Sequence, residues 1–177
     1  AASEIAKGAD GLLDRIFALM VRELELADPR WCQAIALGTL NADTLRDVWF
    51  EDRKKHGPFT WAEANLKEVE RNKREKCTVA WRYTVLRLHE VVQAIVPSLN
   101  EHDRERFKSG LERVFIDNYA AIPPQSIRRL LALREAGIIS VFALGDDYDL
   151  DIGSDQTVIT TAEKSYRFDV FIDARGQ

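Results

Sequence analysis

Leu130-Leu131-Ala132-Leu133-Arg134-Glu135-Ala136-Gly137-Ile138-Ile139-Ser140-Val141-Phe142 is the stretch in which the chain changes period. Before Gly137, apolar residues recur at three- and four-residue steps, the spacing of a helix with one buried face. After it they run together or alternate, as they do in strands. Gly137 itself is the residue a helix uses to stop, because its left-handed backbone conformation costs glycine nothing. The reading is α+β, with a helical domain over residues 1–137 and a small sheet over residues 138–177.

Upstream, about six helices follow from the same periodicity. Leu13, Ile16, Phe17, Met20 and Leu24 form one stripe, with Asp10 placed to cap it. Asp28-Pro29 reads as a cap followed by a first helical position, where proline forfeits no hydrogen bond. Asn41 or Asp43 starts a third helix carrying Leu45, Val48 and Trp49. His56-Gly57-Pro58 is a break, and Thr60 with Glu63 has capping-box spacing. The body of that fourth helix, residues 67–76, holds five basic and three acidic side chains, a solvated face. Trp81, Val85, Leu88, Val92 and Ile95 line a core helix. Ser98 or Asn100 caps the next, with Phe107, Leu111, Val114 and Phe115 in line, and Pro123-Pro124 precedes a last one over Ser126–Ala136.

Downstream, the sequence predicts an antiparallel meander of three to four strands: Ile138–Leu144, Tyr148–Ile152, Thr157–Thr161 and Phe168–Ile172, with turns at Gly145-Asp146, Gly153-Ser154-Asp155 and Glu163-Lys164-Ser165. In the second strand Asp149 and Asp151 fall on the wet face and Tyr148, Leu150 and Ile152 on the inner one.

Composition narrows the chemistry. The chain has 177 residues, 46% hydrophobic and 31% charged, with a net charge of −4, which excludes a general nucleic-acid binder. Residues 138–177 carry 3 basic against 8 acidic side chains, and the preceding part 22 against 21. No apolar run spans a bilayer and no signal-peptide pattern opens the chain, so a cytoplasmic location is expected. Cys32 and Cys77 stand apart, without a second Cys or a His at ligand spacing, and no metal is expected. Asp147-Tyr148-Asp149-Leu150-Asp151-Ile152-Gly153 imitates a calcium loop, but its glycine falls one place late and Val158 stands where the bidentate Glu belongs. His56, His89 and His102 read as structural rather than catalytic. GxGxxG, the P-loop, GxSxG, HExxH and CxxC are all absent.

A resemblance supplies what spacing does not. Trp81-Arg82, Arg104-Glu105-Arg106-Phe107, Ile122-Pro123-Pro124, the quoted stretch from Leu130 to Val141, and Phe168-Asp169-Val170-Phe171-Ile172-Asp173-Ala174-Arg175-Gly176-Gln177 together resemble the middle of a bacterial FAD/NAD(P)-binding oxidoreductase-like family, of the two-dinucleotide flavoprotein type. The resemblance covers roughly residues 77–177 and has no counterpart for the earlier helices. In such proteins a strand ending in Ala-Thr-Gly passes the cofactor, where glycine lets the backbone approach closely. The resemblance thus implies that Ala174, Arg175 and Gly176 are cofactor-proximal, with Arg175 where threonine is usual. Asn118-Tyr119-Ala120-Ala121 occupies the place of a His-rich stretch, so no catalytic residue is carried over there.

The chain accordingly reads as a piece of something larger. FAD and NAD(P) are expected in the parent protein and neither on this piece alone. Its expected partner is the remainder of the parent flavoprotein, with a homodimer through exposed apolar helix faces as a further expectation. The alternative is a helical protein–protein interaction module without catalysis.

Overall fold

The computed structural model describes residues 8–142, 144–145 and 147–174. Among them are eight α-helices followed by a three-stranded antiparallel sheet. The α+β reading, a helical body and then a small meander, is what the chain adopts. It divides into two compact units, the first ending at Ala136 and the second starting at Gly137.

In the first unit, α1 (Leu12–Ala27) buries Leu12, Leu13, Ile16, Phe17, Met20 and Leu24. It packs on α5 (Ala80–Ile95), which contributes Val85 and Val92. Side chains of this kind contribute about 1.5–3 kcal/mol each when fully buried, so this stripe outweighs any cap. The cap expected from Asp10 is not made. Gly11 takes the N-cap position with φ 68 and no side-chain bond, while Asp10 accepts a hydrogen bond from Asn100 instead. The first turn of α1 is satisfied from elsewhere: the buried carboxylate of Asp103 accepts from the Leu13 N–H at 3.1 Å.

Asp28 caps α2 (Pro29–Ala34) by accepting from the Trp31 N–H at 3.1 Å, as its sequence predicts. Asn41 closes a turn onto the amides of Asp43 and Thr44 just ahead of α3 (Leu45–Lys55). The Thr60–Glu63 box does not form. Pro58 takes the first position of α4 (Pro58–Glu75), so Thr60 already lies inside the helix. Asn100 caps α6 (Glu101–Ser109), accepting from the Asp103 N–H at 2.8 Å.

The stripe through Phe107 and Phe115 belongs to two helices rather than one. Gly110 separates α6 from α7 (Leu111–Tyr119), and a Cβ there would stand 2.5 Å from the carbonyl oxygen of Ala42. The backbone of the α3 approach therefore occupies the space any other residue would need. The last helix, α8 (Pro124–Glu135), starts at the second proline and packs on α4. Ile127, Leu130 and Leu131 are only half-buried, and neither α4 nor α8 holds a fully buried residue. Gly137 follows with φ 71, the left-handed stop its sequence calls for.

The second unit has strand order β1-β2-β3. β1 (Tyr148–Ile152) and β2 (Thr157–Thr161) lie where the alternation puts them. Ile152, however, is 63% exposed, because burial fades toward that end of the strand. Two strand expectations fail. Residues 138–142 form no strand; Phe142 instead stacks its ring on Tyr166 at 4.6 Å. The last strand, β3, is Ser165–Phe168 and not Phe168–Ile172. The Thr161 N–H bonds to the Lys164 carbonyl at 2.9 Å, so the turn is tight and pairing resumes at once with Thr160 opposite Ser165. By Phe168 the register has run back to Thr157, where β2 begins, and residues 169–172 have no strand to pair with.

Candidate functional site

The chain holds four tryptophans, and all four line one groove of the helical unit. Trp31 comes from α2, Trp49 from α3, Trp61 from α4 and Trp81 from α5. The groove encloses about 590 Å³, within the range of small-molecule sites. Trp31 and Trp81 stack with centroids 4.5 Å apart and planes 8° from parallel, and Trp49 stands edge-on to both. These three rings pack against the core from one side. The α4–α8 pair adds Leu66, Val69 and Ile127 to the lining.

Polar groups are few and specific. Asp117 of α7 accepts from Trp49 Nε1 at 2.8 Å and takes both terminal nitrogens of Arg53 in a bidentate pair. The Arg53 guanidinium also lies 4.2 Å from the Trp61 ring centroid, a cation–π contact reaching α4. Arg82 sits 5.1 Å from the Trp81 ring and reaches α4 through a 3.3 Å contact from Nη2 to Glu68. Asn118 donates to the Arg82 carbonyl at 3.1 Å, fixing the backbone beneath it. Two arginines thus reach α4, which holds no fully buried residue.

A second, shallower concavity lies between α3 and α7 and is lined by Arg46, Asp47, Phe50, Arg53, Lys54 and Arg113. Two of its four basic groups are engaged: Arg46 bonds Asp47 and the Ser109 carbonyl, and Arg53 belongs to the Asp117 pair.

The candidate residues from the sequence fare differently. Ala174 is exposed and follows β3 outside any strand, and Arg175 and Gly176 lie outside the described residues. His89 packs its ring near those of Phe115 and Tyr119, and His56 contacts the Asp52 carbonyl at its own helix end. Cys32 is buried and Cys77 exposed, both as free thiols. Burial, with Glu25 and Asp28 nearby, pushes the Cys32 thiol up. Among the described residues, no three His, Cys, Asp or Glu side chains converge as a metal requires, and no helix is long and apolar enough to cross a membrane. The described residues offer no strand-to-helix glycine turn of the kind that seats a pyrophosphate. The groove escaped sequence reading because its tryptophans come from four helices. The one legible signal was that Trp49 and Trp81 each fell on an apolar helical face.

Fold and groove define a class: a helical domain with an aromatic cleft, followed in the chain by a small antiparallel sheet. The chain belongs to the YdhS-like middle domain family, whose profile matches residues 1–119. It is 65% identical over 175 residues to the "Uncharacterized protein YdhS" of Escherichia coli (strain K12), an alignment covering 99% of this chain and 33% of that protein. The chain therefore spans about a third of the length of the curated relative it matches. No solved structure matches it.

Proposed function

We propose that this chain is the middle segment of a longer, cytoplasmic FAD/NAD(P)-dependent oxidoreductase, and that its helical unit supplies a small-molecule groove while the dinucleotide chemistry resides in the remainder of the parent. The observation that carries this reading is the order of parts. A helical unit stops at Gly137, a three-stranded meander follows, and the chain leaves β3 toward Ala174. The flavoprotein resemblance implies this succession of helical body and sheet, with Ala174, Arg175 and Gly176 cofactor-proximal, but it also implies strands over residues 138–144 and 168–172 that the described residues do not form. The relative's threefold greater length and the family's description as a middle domain support a parent with sequence on other sides. FAD and NAD(P) are the cofactors of that parent, and nucleic acid is not its partner.

The test is made on the full-length relative. It should purify with the visible absorption of oxidised flavin and release FAD on denaturation, whereas residues 1–177 alone should bind no FAD at micromolar concentration. A colourless full-length protein that takes up no added FAD overturns the reading. The alternative, a helical interaction module, draws on the exposed Tyr83, Leu86 and Val91 of α5. It requires the chain to associate, as a homodimer or with a partner, in light scattering or co-purification.

A further inference from the structure

Among the described residues, one buried side-chain nitrogen or oxygen has no hydrogen-bond partner: Nε of Arg82, in the wall of the tryptophan groove. Nε and Nη2 form the edge of a guanidinium that meets a carboxylate with two parallel bonds. On Arg82 that edge is half used, since Nη2 holds Glu68 at 3.3 Å, long for a charged pair, and Nε holds nothing. Leaving a buried donor unpaired is costly, and natural proteins seldom do so without a reason. Arg53 differs, because its terminal nitrogens are both committed to Asp117.

We propose that the groove binds a flat aromatic monocarboxylate, with its carboxylate on the Nε–Nη2 edge of Arg82 in place of Glu68 and its ring among the tryptophans and the apolar side chains of α4 and α8. Three observations select this class. Four indoles converge on one cavity of about 590 Å³, which favours a planar, aromatic body. Arg53 and Arg82 already lie against Trp61 and Trp81, so a cationic ligand would meet resident cations there. Glu68 already contacts the Arg82 guanidinium and the Asp117 carboxylate lines the same groove, which suits a single negative charge better than a phosphate dianion. Glu68 is then an internal competitor for the ligand's place.

The inference rests on the groove being a ligand site, as the proposed function has it. Its test needs no flavin, so its failure and that of the flavoprotein reading are separately visible. The chain is titrated calorimetrically with 2-naphthoate and with its neutral isostere 2-naphthamide, while the indole N–H resonances are followed by NMR. Naphthoate should bind saturably at one site and shift the tryptophan signals, and naphthamide should bind roughly ten- to a hundredfold more weakly, the worth of a charged hydrogen-bonding pair. Arg82→Gln should weaken naphthoate to a similar degree. Glu68→Gln, which removes the competitor, should tighten it. No saturable binding at millimolar naphthoate, equal affinity for naphthamide, or weaker binding by Glu68→Gln would overturn the proposal. The last two comparisons hold even where Arg82→Gln fails to fold.

Discussion

Arg106 shows how a single side chain organises charge at the edge of the core. Its guanidinium donates to Asp43 at 2.7 Å, Asp14 at 2.8 Å and Asp103 at 3.0 Å, joining α6 to α1 and to the turn before α3. Hydrogen bonds donated to Asp43 and Asp14 raise its pKa further, so it stays charged at any working pH. Asp14 is the partner with a pH consequence. The Arg106 hydrogen bond, against partial desolvation, holds its carboxyl below the ordinary aspartate range. A carboxylate with a depressed folded pKa stabilises the fold above its unfolded pKa, about 3.9 for aspartate, and loses that contribution as pH falls through the folded value. Because the Asp14 side chain is 53% exposed, solvent screens the pair and the effect is a fraction of what a buried pair would give. Urea unfolding of Asp14→Asn should show lower stability than wild type at pH 7, with the two curves converging on the acid side of pH 4. The sequence carries no sign of this hub, since its members are separated by as many as 92 positions.

At the scale of elements, local signals were legible wherever the cap and the helix lie within a few residues. Asp28-Pro29, Asn100 and Gly137 each act as the sequence says. Signals that a neighbouring element could override were not. Asp10 lost the α1 cap to a carboxylate from α6, and the apolar run 138–142 found no strand to pair with. The period of Phe107 to Phe115 also conceals the break at Gly110, because the backbone that forces it belongs to Ala42. The end of α4 is a place where the sequence falls short of its own geometry. Lys76 adopts φ 53 as the C-cap, and its N–H reaches the Asn72 and Lys73 carbonyls. A non-glycine residue in this conformation costs roughly 1–2 kcal/mol, part of which glycine recovers. Lys76→Gly should therefore stabilise the helical unit by roughly 0.5–1 kcal/mol, net of glycine's greater freedom in the unfolded chain. The shift appears as a higher urea midpoint at unchanged slope.

For the whole molecule, the division at Gly137 was the most legible feature, because it coincides with a change of hydrophobic period rather than with any single contact. The groove was the least legible, since it exists only after α2, α3, α4 and α5 have been brought together. The bond from Leu13 to Asp103, which spans 90 positions, carries a consequence in time as well as in space. Until α6 has docked, the first turn of α1 has no side-chain acceptor at its start, and closing so long a loop is a slow, entropically costly event. The Leu13 amide is thus a clock for assembly of the helical unit. In pulsed hydrogen exchange during refolding it should gain protection later than the Leu24 carbonyl's donor, the Asp28 amide, at the far end of the same helix; simultaneous protection would mean that α1 forms as a unit before α6 arrives.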